Sequence, residues 1–396
     1  MKLLPRLFLL ILSLITVFSL LAGSGTTNFP DKSDVTTTNT WSFVALGDSR
    51  QQASEWDYDN DKYFHDNSSN PTRAAIITSV VQNNPDMEFI LHTGDIVSSG
   101  GEQDDWNRYF EDITNATKEN VTFYYAIGNH EAYTYAIDSS TWGPRDENFS
   151  TYLANVELPG NERYYSFDYM NQIHFVIINT EEDWNGAFDI TTDQYDWLIN
   201  DLENNDIEFI VAAYHRPSHS IRDINRVDDA QQVNAVLEPI FLQYGVDLVF
   251  SGHDHYYYRT KRSGITYLTT GGAGADLYAN GDVSEWQDGD VYFSNFHYCN
   301  ISVNEDAGDV TVNIDVLIFN ESDRTTIVGD SFQVSNTILD ITSTTETTET
   351  PTTTTSSETL DETSFTSNET TPEISPFISI STMLGVIFLF ALRKRR

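Results

Sequence analysis

Five short polar motifs, each preceded by an apolar run, constrain the fold of this 396-residue chain more than any other feature. In chain order the motifs are Gly47-Asp48-Ser49-Arg50, Gly94-Asp95, Gly128-Asn129-His130-Glu131, Tyr214-His215-Arg216-Pro217 and Gly252-His253-Asp254-His255. The preceding runs are rich in Ile, Val, Phe and Tyr and predict buried strands at 41–46, 88–92, 122–127, 208–213 and 246–250. Because the carboxyl ends of neighbouring strands line one crevice, we expect the oxygen and nitrogen donors of these motifs to lie together.

The amino terminus has the build of a secretory signal peptide. Lys2 and Arg6 precede the apolar stretch 7–21, and small residues follow at 22–25. The sequence therefore predicts a signal peptide at residues 1–23 and an exported protein.

The carboxyl terminus has the composition of a membrane anchor. Residues 374–392 are predominantly apolar and uncharged, close to the ~20 residues that a membrane-spanning helix requires. The basic residues 393–396 follow, and basic residues stay on the cytoplasmic side. We expect a single-pass anchor at the cell surface with a cytoplasmic carboxyl terminus. A sorting tail that is removed after export has the same build and is the alternative.

Residues 342–373 are dominated by Thr, Ser and Glu, with few side chains to bury, and this composition predicts a stalk without a packed core. Asn-x-Ser/Thr sequons suit a glycosylated exported protein. They occur at Asn67, Asn115, Asn120, Asn148, Asn300, Asn320 and Asn368.

Cys299 is the lone cysteine and is interpreted as a buried thiol, since it has no intramolecular partner for a disulfide.

The net charge excludes one class of partner. With 21 Lys and Arg against 60 Asp and Glu, the formal charge is −39. Duplex nucleic acid is a polyanion, and binding to it requires a basic surface that this composition does not supply. A salty habitat is a second explanation of the acidic surface.

Between residues 40 and 338 the pattern alternates strands with helices and then becomes mostly strands. Helices are predicted at 72–83, 103–114, 192–204 and 229–244. Later strands are predicted at 164–170, 173–179, 265–270, 291–303 and 310–319. This order predicts mixed sheets packed between helices. They would form either one large core or one core with a β-rich annex.

The order G-D-x-R, G-D, G-N-H-E, H-x-P and G-H-x-H resembles the calcineurin-like metallophosphoesterase superfamily. Two further segments, Ala213 to Pro217 and Tyr267 to Gly272, resemble its purple acid phosphatase-like branch. The resemblance implies an α/β fold in which two mixed sheets form a four-layer α/β/β/α sandwich. It implies a catalytic core at 40–275, followed by a β-rich C-terminal part of the body at 276–338.

The resemblance also implies a dinuclear site for two divalent or trivalent metal ions, Fe, Zn or Mn. Asp95 matches the bridging ligand, and a carboxylate can span ions ~3.5–4 Å apart. Asp48 and His255 match ligands of the first ion. The second ion is matched by Asn129, His215 and His253. Taken singly, each of these residues is an ordinary turn, cap or core residue; their order favours a metal site.

Two residues are candidates for catalysis. His130 matches the family histidine that contacts the phosphoryl group and can protonate the leaving oxygen. Arg50 stands where many relatives have His or Gly; its guanidinium suits a phosphate clamp, with a structural ion pair as the alternative. Ser98 replaces the metal-binding tyrosine of the purple enzymes, which leaves the first ion with fewer protein ligands.

Four neighbours of these motifs keep two interpretations each. Glu131 fits an orienting group or a cap, and Asp254 fits a ligand-supporting or turn residue. His92 is interpreted as a residue that supports a metal ligand or as an ordinary core or surface residue. His219 is interpreted as a substrate contact or as an ordinary core or surface residue.

These observations predict an exported, membrane-tethered phosphohydrolase that cleaves small phosphomonoesters or phosphodiesters through attack by a metal-activated hydroxide. The alternative is a cell-surface binding or adhesion protein with a vestigial metal site, which the stalk, the sequons and the reduced first site favour.

Overall fold

The computed structural model describes residues 39–50, 56–57, 62–63, 70–133, 149–182, 193–281, 284–306 and 308–336. The chain divides into two compact units, Met1–Ile338 and Leu339–Arg396, and every described residue belongs to the first. The predicted signal peptide (1–23), stalk (342–373), anchor (374–392) and basic end (393–396) lie outside the described residues. Within the described ranges, no helix combines the length and the apolar character needed to span a membrane.

The described elements alternate in type through the first two thirds of the body. The strands are β1 (Asn39–Leu46), β2 (Trp56–Asp57), β3 (Lys62–Tyr63), β4 (Phe89–His92), β5 (Thr122–Tyr125), β6 (Tyr165–Tyr169), β7 (Ile173–Ile177), β8 (Phe209–Ala213), β9 (Leu248–Ser251), β10 (Tyr257–Arg262), β11 (Ile265–Thr270), β12 (Val291–Phe293), β13 (His297–Asp306), β14 (Asp309–Phe319) and β15 (Thr326–Ser335). The helices are α1 (Pro71–Asn83), α2 (Gln103–Asp112), α3 (Thr114–Lys118), α4 (Ser150–Asn155), α5 (Asp193–Asn204) and α6 (Ile224–Tyr244).

Two large mixed sheets form the centre of the molecule. The first has the order β15-β14-β13-β1-β4-β5, and the second has the order β12-β10-β11-β9-β8-β7-β6. In the first sheet β1, β4 and β5 are parallel, and β1 pairs antiparallel with β13, with Ala45 opposite Cys299. In the second sheet β7, β8, β9 and β11 are parallel. The motif-bearing strands are therefore parallel within each sheet, and their carboxyl ends meet at one edge.

Three apolar layers hold the sheets and helices together. Alternate residues of β1 serve two of them: Phe43 and Ala45 face the second sheet, whereas Val44 and Leu46 face α1 and α2. The third layer packs α5 and α6 on the outer face of the second sheet. This arrangement confirms the predicted four-layer α/β/β/α sandwich.

The C-terminal strands complete the two sheets and do not form a separate annex. The strand predicted at 291–303 is in fact two strands, because β12 joins the second sheet while β13 pairs with β1 of the first. Sequence periodicity contains no sign of this exchange between sheets, because both segments have a strand pattern and only residues 294–296 separate them. The strands β10 and β15 were not predicted.

Helix α6 begins five residues earlier than the predicted start at 229. The Asp223 side chain accepts hydrogen bonds from the backbone N–H groups of Asn225 and Arg226, which caps the helix at that point. Gly245 ends the helix with a left-handed φ of 76°.

Candidate metal centre

Three of the candidate ligands lie on strained turns that directly follow strands. Asp48, Asp95 and His253 have left-handed φ values of 57°, 53° and 72°. Non-glycine residues seldom adopt this conformation, and it is concentrated at functional sites. Close backbone approach reinforces the arrangement: a Cβ at Gly94, whose φ is +96°, would lie 2.8 Å from the His215 ring.

The first group of donors comprises Asp48, Asp95 and His255, all buried, with one donor atom of each within 4.8 Å of the others. His255 Nε2 lies 3.3 Å from Asp48 Oδ1. The other ring nitrogen, Nδ1, hydrogen-bonds to the Asp276 carbonyl at 2.6 Å. That bond leaves Nε2 with its lone pair directed at the carboxylates, as a metal ligand requires.

The second group comprises Asp95, His215 and His253, again all buried and within 4.8 Å of one another. His215 Nε2 lies 3.2 Å from Asp95 Oδ1 and 3.1 Å from His253 Nδ1. Asn129 adds a fourth oxygen donor, with Oδ1 3.2 Å from His215 Nε2. Asp95 belongs to both groups, so its carboxylate lies where a bridging ligand would be needed.

The electrostatics of the cluster fit cations. Burial opposes ionisation of Asp95, yet the neighbouring His130 and His215 hold the pKa of its carboxyl well below the ordinary value. Burial also lowers the pKa of His215, but Asp95 outweighs burial and raises this pKa to about 9. Carboxylate, amide and imidazole donors packed this closely match the ligand preferences of transition-metal ions such as Fe, Zn or Mn. The residues present therefore fit a dinuclear metal site.

His130 lies beside this cluster without belonging to either donor group. Its Nδ1 hydrogen-bonds to the Ser98 carbonyl at 2.7 Å, and its Nε2 is 3.7 Å from Asp95 Oδ2. Burial lowers the pKa of His130 to about 3, although Asp95 opposes the shift. The neutral ring therefore carries its proton on Nδ1 and turns an unprotonated Nε2 toward the donor cluster.

Arg50 lies at the same edge of the cluster. Its Nε is 3.9 Å from Asp95 Oδ2, beyond hydrogen-bonding distance, and 13% of its side chain is exposed. Asn70 donates to the Arg50 carbonyl at 2.8 Å and to the Gly274 carbonyl at 3.1 Å, which ties this turn to the loop after β11.

Two carboxylates near the cluster, Glu131 and Asp254, have well-defined hydrogen-bond partners. Glu131 accepts hydrogen bonds of 2.8–3.1 Å from the backbone N–H groups of Asp95, Ile96, Val97 and Gly128. It thereby joins the turn after β4 to the turn after β5. Asp254 accepts hydrogen bonds from Ser220 and Tyr256 at 2.6 and 2.8 Å, and so supports the loop between two candidate ligands.

The two additional histidines also differ in position. His92 Nε2 contacts Ser49 Oγ at 2.9 Å, beside the Asp48 turn, and its Nδ1 faces the Gly94 N–H at 3.2 Å. His219 packs edge-on to the Tyr267 ring, with centroids 4.7 Å apart, and is in neither donor group.

Three contacts with the site were not predicted from the sequence. Arg216 Nη1 lies 3.2 Å from His253 Nε2, and Glu181 holds the guanidinium at 2.5 and 3.1 Å. Arg73, buried and paired with Asp112, donates to the carbonyls of Ser49 and Ile96 in two ligand turns. Tyr278 stacks on the His255 ring. Only Arg216, adjacent to His215 in its motif, carried a sequence signal.

Comparison with known proteins agrees with the geometry. The family model for calcineurin-like phosphoesterases matches residues 46–257. Purple acid phosphatase 15 of Arabidopsis thaliana is 30% identical over 168 residues, which cover 40% of this chain and 28% of that protein. Purple acid phosphatase 13 of the same plant is 29% identical over 192 residues, 43% of this chain and 32% of that protein. The chain thus matches about a third of the length of these curated relatives.

Solved structures share the fold at low sequence identity. The purple acid phosphatase PPD1 from yellow lupin (Lupinus luteus) seeds aligns with a TM-score of 0.55 and 20% identity, over 75% of this chain and 54% of that chain. GAP50, the anchor in the inner membrane complex of Plasmodium, aligns with a TM-score of 0.52 and 15% identity, over 74% of this chain and 88% of that chain. The sandwich, the two donor groups that share Asp95 and the match over residues 46–257 agree: this chain belongs to the calcineurin-like phosphoesterase family, in its purple acid phosphatase-like branch.

Proposed function

We propose that this protein is a dinuclear metal-dependent phosphohydrolase that cleaves small phosphomonoesters or phosphodiesters outside the cell. One observation carries the proposal: two buried donor groups share Asp95, so that one carboxylate can serve two cations. A shared carboxylate between adjacent ions is the arrangement used for in-line displacement at phosphorus.

Asp48, Asp95 and His255 would hold the first ion, and Asp95, Asn129, His215 and His253 would hold the second. When bound, the two ions would supply a water of lowered pKa and would neutralise charge on the phosphoryl oxygens. Iron, zinc and manganese all suit these ligands.

The protein's own residues would orient the phosphoryl group. Arg50 lies 3.9 Å from the shared carboxylate, and its guanidinium would bind two oxygens of a phosphoryl group held at this edge of the cluster. His130 presents Nε2 at the same edge, and an approaching phosphate anion would raise its pKa and favour the protonated form. A protonated Nε2 can then donate to a phosphoryl oxygen or to the leaving oxygen.

Export and membrane tethering belong to the same proposal. They are supported by the apolar stretches at 7–21 and 374–392 and by the basic residues 393–396. Small phosphate esters are the expected substrates, because a chain of formal net charge −39 disfavours polyanions such as duplex nucleic acid.

A binding or anchoring role is the second candidate. It is supported by the fold shared with GAP50, which is described as an anchor, and by Ser98 in place of a metal-binding tyrosine. The complete second group of donors favours the enzyme.

Metal analysis combined with a panel of phosphate esters tests the proposal. The purified protein should retain or take up close to two transition-metal ions and hydrolyse members of the panel. Asp95→Ala should lose both ions, whereas Asp330→Asn, at a residue that pairs with Arg259 and belongs to neither donor group, should keep them. Wild-type protein that neither binds metal nor hydrolyses any ester would favour the binding role.

A further inference from the structure

His255 is held from two directions. Its Nδ1 hydrogen-bonds to the Asp276 carbonyl at 2.6 Å, and the Tyr278 ring stacks on its face with centroids 4.0 Å apart and planes 14° from parallel. The Tyr278 backbone N–H also donates to the His255 carbonyl at 2.9 Å. The hydrogen bond restricts the direction in which Nδ1 points. The stacked ring restricts the tilt of the imidazole plane as well.

Tyr278 is in turn covered by a cation. The Arg222 guanidinium carbon lies 3.6 Å from the centre of the Tyr278 ring. One face of a phenol ring cannot hold both an imidazole at 4.0 Å and a guanidinium at 3.6 Å, so the two groups occupy opposite faces. The result is a three-layer stack of Arg222, Tyr278 and His255.

Local contacts hold the outer layer of this stack. Arg222 Nε lies 3.5 Å from Asp223 Oδ2, and Asp223 also caps α6. The backbone N–H of Gly281 donates to the Ile221 carbonyl at 3.0 Å, which joins the Arg222 loop to the Tyr278 loop. The stack therefore connects the start of α6 to the first donor group.

The first group is where such support matters most. Among the described residues it comprises Asp48, Asp95 and His255, whereas the second group adds Asn129 to Asp95, His215 and His253. Because fewer side chains hold the ion in this group, the orientation of each ligand has a larger effect on the affinity for that ion. His255 is also the only nitrogen donor that the described part of the chain contributes to the first group.

We propose that Arg222 and Tyr278 are positioning residues for His255, and that their stack sets the affinity of the first metal position selectively. This inference rests on the dinuclear site proposed above. The groups that orient a metal ligand typically change metal affinity by about 10–100-fold when removed.

The test is titration of the metal-free full-length protein with Zn²⁺ in competition with a chelator, which yields one dissociation constant for each position. The variants His255→Ala and Asn129→Ala assign the constants to the first and second positions. Tyr278→Leu should weaken the first position about 10-fold or more and leave the second unchanged. Tyr278→Phe keeps the stacking face and should resemble wild type.

Arg222→Ala should weaken the first position several-fold, because the phenol ring loses its outer layer. Arg259→Ala is the matched control: Arg259 lies 4.6 Å from the Phe332 ring and pairs with Asp330, away from both donor groups. It should leave both dissociation constants unchanged. Thermal unfolding of the metal-free variants identifies any that fail to fold, and if Tyr278→Leu fails, Arg222→Ala decides the question.

The outcomes separate the two proposals. Wild-type protein that binds no Zn²⁺ would overturn the metal site and this inference together. Two ions bound to wild type, with an unchanged first constant in Tyr278→Leu and Arg222→Ala, would overturn only the stack. A Tyr278→Phe variant as weak as Tyr278→Leu would also overturn it, because the hydroxyl rather than the ring face would then be responsible.

Discussion

At the scale of single residues, the site depends on which atom of each side chain is already engaged. His215 and His255 each direct Nδ1 at a backbone carbonyl, at 2.9 and 2.6 Å, and so leave Nε2 facing the cluster. His253 is the reverse, with Nδ1 toward His215 and Nε2 toward Arg216. These second contacts determine which ring nitrogen is available to a cation.

His130→Ala should retain both ions, because His130 is in neither donor group, and should lower turnover by about 10²-fold or more. The reason is the loss of a proton donor to the phosphoryl or leaving oxygen. Steady-state kinetics together with metal analysis measures both quantities. His219→Ala serves as the control, since that histidine packs on Tyr267, and should keep its turnover. Wild-type turnover in the His130→Ala variant would contradict a catalytic role for His130.

Arg50→Lys should weaken inhibition by inorganic phosphate by about tenfold while metal content stays constant. The charge is conserved, but an ammonium group cannot reproduce the two-pronged contact of a guanidinium. Arg108→Lys, in an exposed pair with Glu111, should change neither property. If Arg50 formed only a structural ion pair, the substitution would instead lower the melting temperature and leave phosphate inhibition intact.

At the scale of secondary-structure elements, hydrogen bonds between loops keep the ligand turns in register. Glu131 joins the turns after β4 and β5, and Arg73 on α1 holds carbonyls of the turns after β1 and β4. A different polar cluster, around the buried His174, joins β6, β7 and α5: His174 contacts the exposed Asp168 at 2.7 Å and Asp201 at 2.9 Å. Ser166 donates to the same Asp201 at 2.5 Å.

This second cluster predicts a pH-dependent stability. Burial lowers the pKa of His174, but hydrogen bonds to Asp201 and Asp168 outweigh burial and raise it above the ordinary value. The folded state therefore binds this proton more tightly than the unfolded chain, so the contribution is full below the ordinary histidine pKa of ~6.5 and is lost as pH rises through the folded pKa.

His174→Gln should accordingly cost about 1–3 kcal/mol in unfolding free energy at pH 5, with a smaller cost at pH 9. Chemical denaturation of both proteins across this range measures the difference. Asp201→Asn removes the main source of the raised pKa and should weaken the pH dependence even with His174 present. A cost that grows with pH would contradict the assignment.

At the scale of the whole molecule, charge is distributed unevenly. The chain carries 60 acidic residues against 21 Lys and Arg, yet Arg50, Arg216, Arg222 and Arg226 all lie at or beside the donor cluster or its ligands. These arginines place positive charge close to where an anionic phosphate would bind, within a chain that is otherwise strongly acidic.

Self-repulsion of this acidic body should make stability rise with salt. Raising NaCl from low concentration to 0.15 M shortens the Debye length to about 8 Å and screens exposed carboxylates from one another. We expect the melting temperature to rise by a few degrees, at roughly 2–4 °C per kcal/mol gained. Thermal unfolding at constant pH measures this. An equal rise in a sucrose series of matched osmolality would mean that charge screening is not the cause.

The sequence by itself determined the features that depend on near neighbours along the chain. Buried strands ending in Asp48, Asp95, Asn129, His215 and His253 could be recognised because side-chain periodicity and turn residues are local, and parallel strands bring such ends to one edge. The order of strands and helices predicted mixed sheets packed between helices. The four-layer sandwich itself was predicted from the family resemblance that the order of the motifs carries.

Tertiary structure alone decided the contacts that join distant parts of the chain. The exchange between β12 and β13, the contact of Arg216 with His253, and the stack of Arg222 and Tyr278 on His255 depend on how the two sheets and their loops pack. No local pattern encodes these pairings, because an arginine or tyrosine in a loop has the same neighbours in sequence whether it faces solvent or a ligand. Burial and register, which depend on the whole fold, made these residues part of the site.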